Sequence, residues 1–239
     1  MTDLLFRDDA YMTTAQGKVV AHTPEGGIVV DASLFYATGG GQPGDSGAIS
    51  WGETTMKIAT AVKTLDGEIA LVPAEPARLP EIGTEITQTL DWDRRYKHMQ
   101  IHTALHLLSV VIPLPVTGGS ISAEKGRLDF DMPDAPADKE TLQAQLNELV
   151  DRDLEVHESW ITDEELAAKP DLVKTMSVKP PMGSGRVRLV GIGRDADQID
   201  LQPCGGTHVA RTGEIGRLRI GKIEKKGKQN RRVNIHFDD

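Results

Sequence analysis

HTALH at residues 102–106 and CGGTH at 204–208 decide how this chain is read. Each stretch sets two metal-binding side chains four residues apart, and the second uses the chain's single cysteine, Cys204. On a helix, a spacing of four puts side chains on one face a turn apart, so His102 and His106 can reach a common ion. Cys204 adds a thiolate and His208 a third imidazole. One sulfur with three nitrogens suits zinc, whereas magnesium and calcium take oxygen ligands. The expectation is one zinc ion held by His102, His106, Cys204 and His208, with two distant segments meeting around it. Taken alone, either motif is weak, because paired histidines on a helix often pack inward or face water. Together, with no other cysteine and with Gly205 and Gly206 opening the backbone between ligands, they gain weight. His98, one turn before His102, is a spare candidate that ranks below the four as a supporting or surface residue. A metallopeptidase is the rival, but its HExxH helix needs a glutamate general base where this chain has Thr103.

Working outward, a second domain forms around these motifs and a first one precedes it. With 239 residues the chain can bury a sizeable core, and two domains fit its length. Residues 1–92 read as a β-barrel-like or sandwich unit. Short β-branched or alternating runs at 18–22, 27–30, 48–51, 57–62, 68–72 and 85–90 are separated by Gly, Pro and Asp. Pro73, Pro76 and Pro80 mark the end of that unit or a link. Residues 93–239 read as α+β. A helix is expected at 93–110, with an apolar stripe and the histidines beside it, stopped by Pro113 and Pro115. A second helix, capped by Asp138, runs to about 153, and a short one fills 163–169. Strands are expected at 119–122, 127–132, 155–161, 187–192, 199–201, 215–222 and 232–237, with a polar turn at 225–230.

Charge and composition narrow the function. A net charge of -9 argues against wholesale nucleic-acid binding, which depends on neutralising phosphates. Yet residues 211–232 gather Arg211, Arg217, Arg219, Lys222, Lys225, Lys226, Lys228, Arg231 and Arg232 against Glu214 and Glu224. That stretch is either a solvated basic hairpin or a contact for a polyanion whose end enters the metal site. No run approaches the ~20 apolar residues of a membrane span, and the N-terminus lacks a secretory signal's pattern. A lone cysteine cannot form an internal disulfide, which agrees with a reducing, cytoplasmic setting.

FYATGGGQPGDSG at 35–47 is the remaining motif. Its glycines Gly39, Gly40 and Gly41, flanked by Thr38 and Gln42, either let backbone amides approach a ligand or simply make a tight turn. Neither a Walker loop nor a dinucleotide fingerprint fits the spacing.

Taken in order, FYATGGGQPGDSG, HTALH and QPCGGTH followed by TGEIG resemble the editing module of alanyl-tRNA synthetases and the AlaX family of free-standing trans-editing proteins. The likeness covers nearly the whole chain, and its second domain resembles one found also in threonyl-tRNA synthetases. The chain is too short to hold the aminoacylation domain as well, and no C-terminal RNA-binding domain is evident. The resemblance implies an ATP-independent, zinc-dependent deacylase of misacylated tRNA(Ala), chiefly seryl-tRNA(Ala) and also glycyl-tRNA(Ala), engaging the tRNA acceptor end. It implies zinc ligation and catalysis by His102, His106, Cys204 and His208. Substrate contacts would come from Thr38, Gly39, Gly40, Gly41, Gln42, Gly205 and Gly206, with Thr38 meeting the serine side chain and Gln42 helping to place the terminal nucleotide. The alternative is a zinc-stabilised tRNA-binding module without catalysis. Another aminoacyl ester as substrate is a third reading. A monomer is favoured over an oligomer.

Overall fold

Alternating side chains close the first part of the chain into a barrel. The computed structural model describes residues 2–134, 138–176 and 185–238, in two compact units that divide between His98 and Met99. This division lies six residues beyond the boundary at 92/93 that the sequence pattern suggests, inside the helix that follows it. In the first unit the elements are β1 (Asp3–Leu4), α1 (Leu5–Asp8), β2 (Thr14–His22), β3 (Ile28–Val30), β4 (Ala32–Ser33), β5 (Gly47–Trp51), β6 (Thr54–Lys63), β7 (Ile69–Pro73) and β8 (Glu85–Leu90). Six of them form a closed barrel in the order β2-β3-β7-β6-β5-β8, every neighbouring pair antiparallel. Along β6, Met56 and Ile58 point inward, and a register shift between Ile58 and Thr60 moves the alternation by one so that Ala61 is the next inward residue. These side chains join Ile28, Leu34, Phe35, Ile49, Ile69, Leu71 and Ile86 in the barrel core. The proline-rich stretch after β7 is not a link between domains; it joins β7 to β8 within the barrel.

The loop before β5 is tied down at both ends. Gly39 and Gln42 exchange backbone hydrogen bonds of 3.0 and 2.9 Å around Gly40 (φ 56) and Gly41 (φ 83), a two-residue turn whose central positions both need the left-handed region. Asp45 accepts the Tyr36 amide at 2.6 Å and the Nε of Arg95 at 2.9 Å. Arg95, wholly buried, also donates from Nη2 to Asp45 and to the Leu34 carbonyl, and from Nη1 to the Ala10 carbonyl.

Helix α2 (Trp92–Val111) contains the division between the units and ends before Pro113. From Ile101 to Ser109 every side chain is buried, so this part of the helix lacks the solvent-facing side that Asp93 and Lys97 give to its first turns. A helix buried all round must satisfy its polar side chains internally, which is how the histidines come to be held.

In the second unit follow β9 (Val116–Ile121), β10 (Lys125–Asp131), α3 (Lys139–Asp151), β11 (Val156–Thr162), α4 (Asp163–Ala167), β12 (Arg186–Ile192), β13 (Asp200–Pro203), β14 (Leu218–Lys225) and β15 (Asn230–Phe237). They make a four-stranded antiparallel sheet, β14-β15-β10-β9, and a three-stranded one, β11-β12-β13. Gly126 lets α2 approach β10: a Cβ there would lie 2.6 Å from Cγ2 of Ile101. Asp138 caps α3 by accepting the amides of Glu140 and Thr141. Further along α3, Asn147 accepts the Leu218 amide at 2.9 Å and donates to its carbonyl at 2.7 Å, while Gln143 accepts the Ile220 amide at 2.9 Å. The strand expected at 215–222 instead starts at Leu218, because Thr212–Ile215 forms a 3-10 turn and Gly216 takes a positive φ of 74. No helix among the described residues is long and apolar enough to cross a membrane.

Candidate metal centre

Two elements supply the four side chains. His102 and His106 sit a turn apart on α2, and Cys204 and His208 lie in the loop that leaves β13. That loop is shaped by Arg188 of β12, whose Nη1 donates to the carbonyls of Cys204 at 2.8 Å and Gly206 at 2.9 Å while its Nε reaches Glu158 at 2.7 Å. The candidate ligand atoms of His102, His106, Cys204 and His208 lie within 4.8 Å of one another. Cys204 Sγ is 3.2 Å from Nε2 of His208 and 3.5 Å from Nε2 of His102. Tetrahedral zinc, with Zn–N of ~2.0 Å and Zn–S of ~2.3 Å, sets its nitrogen and sulfur ligands roughly 3.5 Å apart. The set therefore fits such an ion in both chemistry and spacing, and the cluster can hold a metal.

The rings are oriented from behind. His106 Nδ1 donates to Oδ2 of buried Asp200 at 2.9 Å, which makes Nε2 the nitrogen that a metal would take once its proton is displaced. Asp200 is itself held by Nε2 of Gln202 at 2.8 Å and by the Lys174 ammonium. His208 Nδ1 lies 3.2 Å from Oγ1 of Thr103, whose own proton goes to the Met99 carbonyl at 2.9 Å, so the imidazole is the donor and its Nε2 is again the free acceptor. Partners of this kind fix the tautomer and raise the basicity of metal-ligating histidines. Sequence reading missed Asp200, Gln202 and Lys174, and it noted Thr103 only as a glutamate that was absent. Strand alternation carried a signal: Asp200, Gln202 and Cys204 are two residues apart, hence on one side of an extended segment.

The cluster titrates as a unit. Burial would raise the Cys204 thiol, but His102 and His208 overcome it and hold the group well below its ordinary range. Burial would lower His106, yet Asp200 and Cys204 lift it to about 9. His208 is pushed down to about 3, first by burial and then by the charge of His102. A thiolate is thus already favoured, and a metal entering would displace protons from imidazole.

The other expected site residues fall as follows. Gly205 and Gly206 lie beside Cys204, and neither amide donates to a protein acceptor among the described residues; a Cβ at Gly205 would meet nothing within 4 Å. His98 is buried but stands outside the four-residue group. Thr38, Gly39, Gly40, Gly41 and Gln42 share the tied-down loop of the first unit. There Thr38 Oγ1 accepts the Gly44 amide at 2.9 Å, Gln42 is buried, and Gly40 and Gly41 serve the turn.

Much of the basic stretch is already partnered. Arg211 pairs with Asp153, Arg217 with Asp151, Lys222 and Lys226 with Glu224, and Arg232 with Asp129.

Comparison with known proteins places this geometry. Residues 187–234 match the family described as threonyl and alanyl tRNA synthetase second additional domain, and residues 9–94 match class II (A) tRNA synthetases. An alanyl-tRNA editing protein AlaX-M from Methanosarcina acetivorans is 31% identical, with 98% of each chain covered. One from Pyrococcus horikoshii is 31% identical over 100% of this chain and 99% of its own. An alanine–tRNA ligase from Pyrobaculum calidifontis is 34% identical over 92% of this chain, which spans only 25% of that ligase.

Proposed function

Because the chain belongs to the family of the alanyl-tRNA editing proteins AlaX-M, we propose that it hydrolyses the ester of misacylated tRNA(Ala), chiefly seryl-tRNA(Ala) and also glycyl-tRNA(Ala). Water adds to the ester carbonyl, the bond from the acyl carbon to the ribose oxygen breaks, and free serine and a tRNA hydroxyl leave. Such an enzyme answers a physical problem. A pocket built for alanine rejects an added hydroxyl only ~10²-fold and cannot exclude glycine by size.

The observation that carries the reading is the oriented set His102, His106, Cys204 and His208 beside two amides, Gly205 and Gly206, with no protein acceptor among the described residues. These four side chains would hold zinc, which supplies Lewis acidity when bound. The amides of Gly205 and Gly206 are suited to steady the carbonyl oxygen as negative charge develops on it. Thr38 is our candidate for contact with the serine hydroxyl and Gln42 for the terminal nucleotide. One observation favours the second reading, a tRNA-binding module without catalysis: four protein ligands close a tetrahedral shell, as in structural zinc sites.

Turnover separates them. Serine release from seryl-tRNA(Ala), set against alanine release from alanyl-tRNA(Ala), should be fast and selective, and Cys204→Ala should lose both zinc and activity. Full activity in a zinc-free protein would overturn the zinc-dependent reading, and ester loss no faster than in buffer would leave the binding module.

A further inference from the structure

The outer face of the four-stranded sheet separates its charges by position. Along β10, Gly126, Leu128 and Phe130 are buried, so Lys125, Arg127 and Asp129 lie on the other face. Strand register makes Lys125 the direct neighbour of His236 on β15, and His236 the direct neighbour of Arg219 on β14. These three form one row across three strands, at steps of ~5 Å. Farther along the same face the row is Asp129, Arg232 and Glu224. That second row is neutralised internally: Arg127 and Arg232 both donate to Asp129, and Glu224 takes Lys222 and Lys226.

The first row has no such partner. Among the described residues, Lys125, Arg219 and the nearby Lys139 make no ion pair. Lys225 and Lys228, which also make no ion pair among the described residues, belong to the opposite end of the β14–β15 hairpin. His236 sits at the centre with its ring over Gly221, where a Cβ would lie 2.6 Å from Nε2. Burial, then Arg219, Lys125 and Lys139, push its pKa down, as expected in a cationic site that lacks an anion. On the adjoining β9 the same face carries Gly118 and Ser120, too small to cover it.

We propose that the row Lys125, His236 and Arg219, with Lys139 beside it, is the surface that takes tRNA phosphates. The proposal rests on the reading that this chain acts on tRNA. It also bears on the contrast between an acidic chain and a basic stretch: Arg211, Arg217, Lys222, Lys226 and Arg232 neutralise acids of their own unit, whereas Arg219 joins Lys125 and His236 from outside the stretch in a small local row.

The test is the affinity of full-length protein for uncharged tRNA(Ala), measured by fluorescence anisotropy across a salt series. Removing two phosphate contacts in Lys125→Ala/Arg219→Ala should flatten the log–log salt slope by roughly 1.4 to 1.8 and weaken binding by on the order of tenfold at moderate salt. Zinc content and the single-turnover rate at saturating tRNA should not change. Arg217→Ala, which removes a cation already paired with Asp151, should leave the slope nearly where it was. A double variant with wild-type slope and affinity overturns the proposal, as does a wild-type protein with no salt-dependent affinity for tRNA. Serine release with an unmoved slope removes the surface alone; a moved slope without serine release removes the deacylase alone.

Discussion

Replacing Asp200 with asparagine should weaken zinc binding 10- to 100-fold without unfolding the protein. Asp200 is 3% exposed and meets three groups: Oδ2 takes His106 Nδ1 at 2.9 Å and Gln202 Nε2 at 2.8 Å, and Oδ1 takes Lys174. Burial would raise its pKa, but His106 and Lys174 hold it at about 2, so a carboxylate faces the histidine at neutral pH. Asparagine keeps the volume and one acceptor. It loses the charge that makes His106 Nε2 a strong donor to metal, and it sets an amide against either the imidazole N–H or the ammonium. Outer partners of metal-bound histidines are worth 10- to 100-fold in affinity, about 1.4 to 2.8 kcal/mol. Competition against a chromophoric chelator measures this directly, with far-UV circular dichroism as the check on folding. A variant that folds and binds zinc within twofold of wild type would refute the orienting role of Asp200.

Two further outcomes concern stability. Arg95→Met leaves the buried Asp45 carboxylate without its guanidinium, and breaking such a pair costs about 3 to 5 kcal/mol; urea denaturation followed by intrinsic fluorescence should report it, and a loss below ~1 kcal/mol would contradict the assignment. For Asp129, burial would raise the pKa, but Arg232 and Arg127 lower it below the ordinary carboxylate value. Its contribution is therefore present above the unfolded pKa of ~3.9 and is lost as pH falls through the lower folded value. Wild type should be more stable than Asp129→Asn at pH 7, and the gap should narrow below about pH 4 in thermal scans; a gap constant with pH would exclude this linkage.

What was legible beforehand followed from short-range pattern. The barrel strands showed as alternation, α2 ended where Pro113 and Pro115 required, and the HTALH and CGGTH spacings pointed to four side chains that the fold brings within 4.8 Å of one another. The misses have physical causes. Expecting a single apolar stripe along α2 failed over residues 101–109, where tertiary burial surrounds the helix, something periodicity does not encode. The strand placed at 215–222 failed because apolar Ile215 belongs to a turn whose exit needs the positive φ of Gly216. Lys174 escaped notice because its partner Asp200 is remote in sequence, and the charge of the basic stretch could not reveal which cations were already paired with distant acids.

The side-chain amides of α3 act on an open border of the sheet. β14 lies at the border of its sheet, where open N–H and C=O groups would ordinarily accept a strand from another molecule. Asn147 and Gln143 already occupy Leu218 and Ile220 there. Beyond them a register shift before Ile223 and the charges of Lys222, Glu224 and Lys225 make the border irregular and hydrophilic. The helix thus shields the sheet from templating growth, so that crowding many copies together offers this border little occasion to recruit a neighbouring chain into a continuous β-structure.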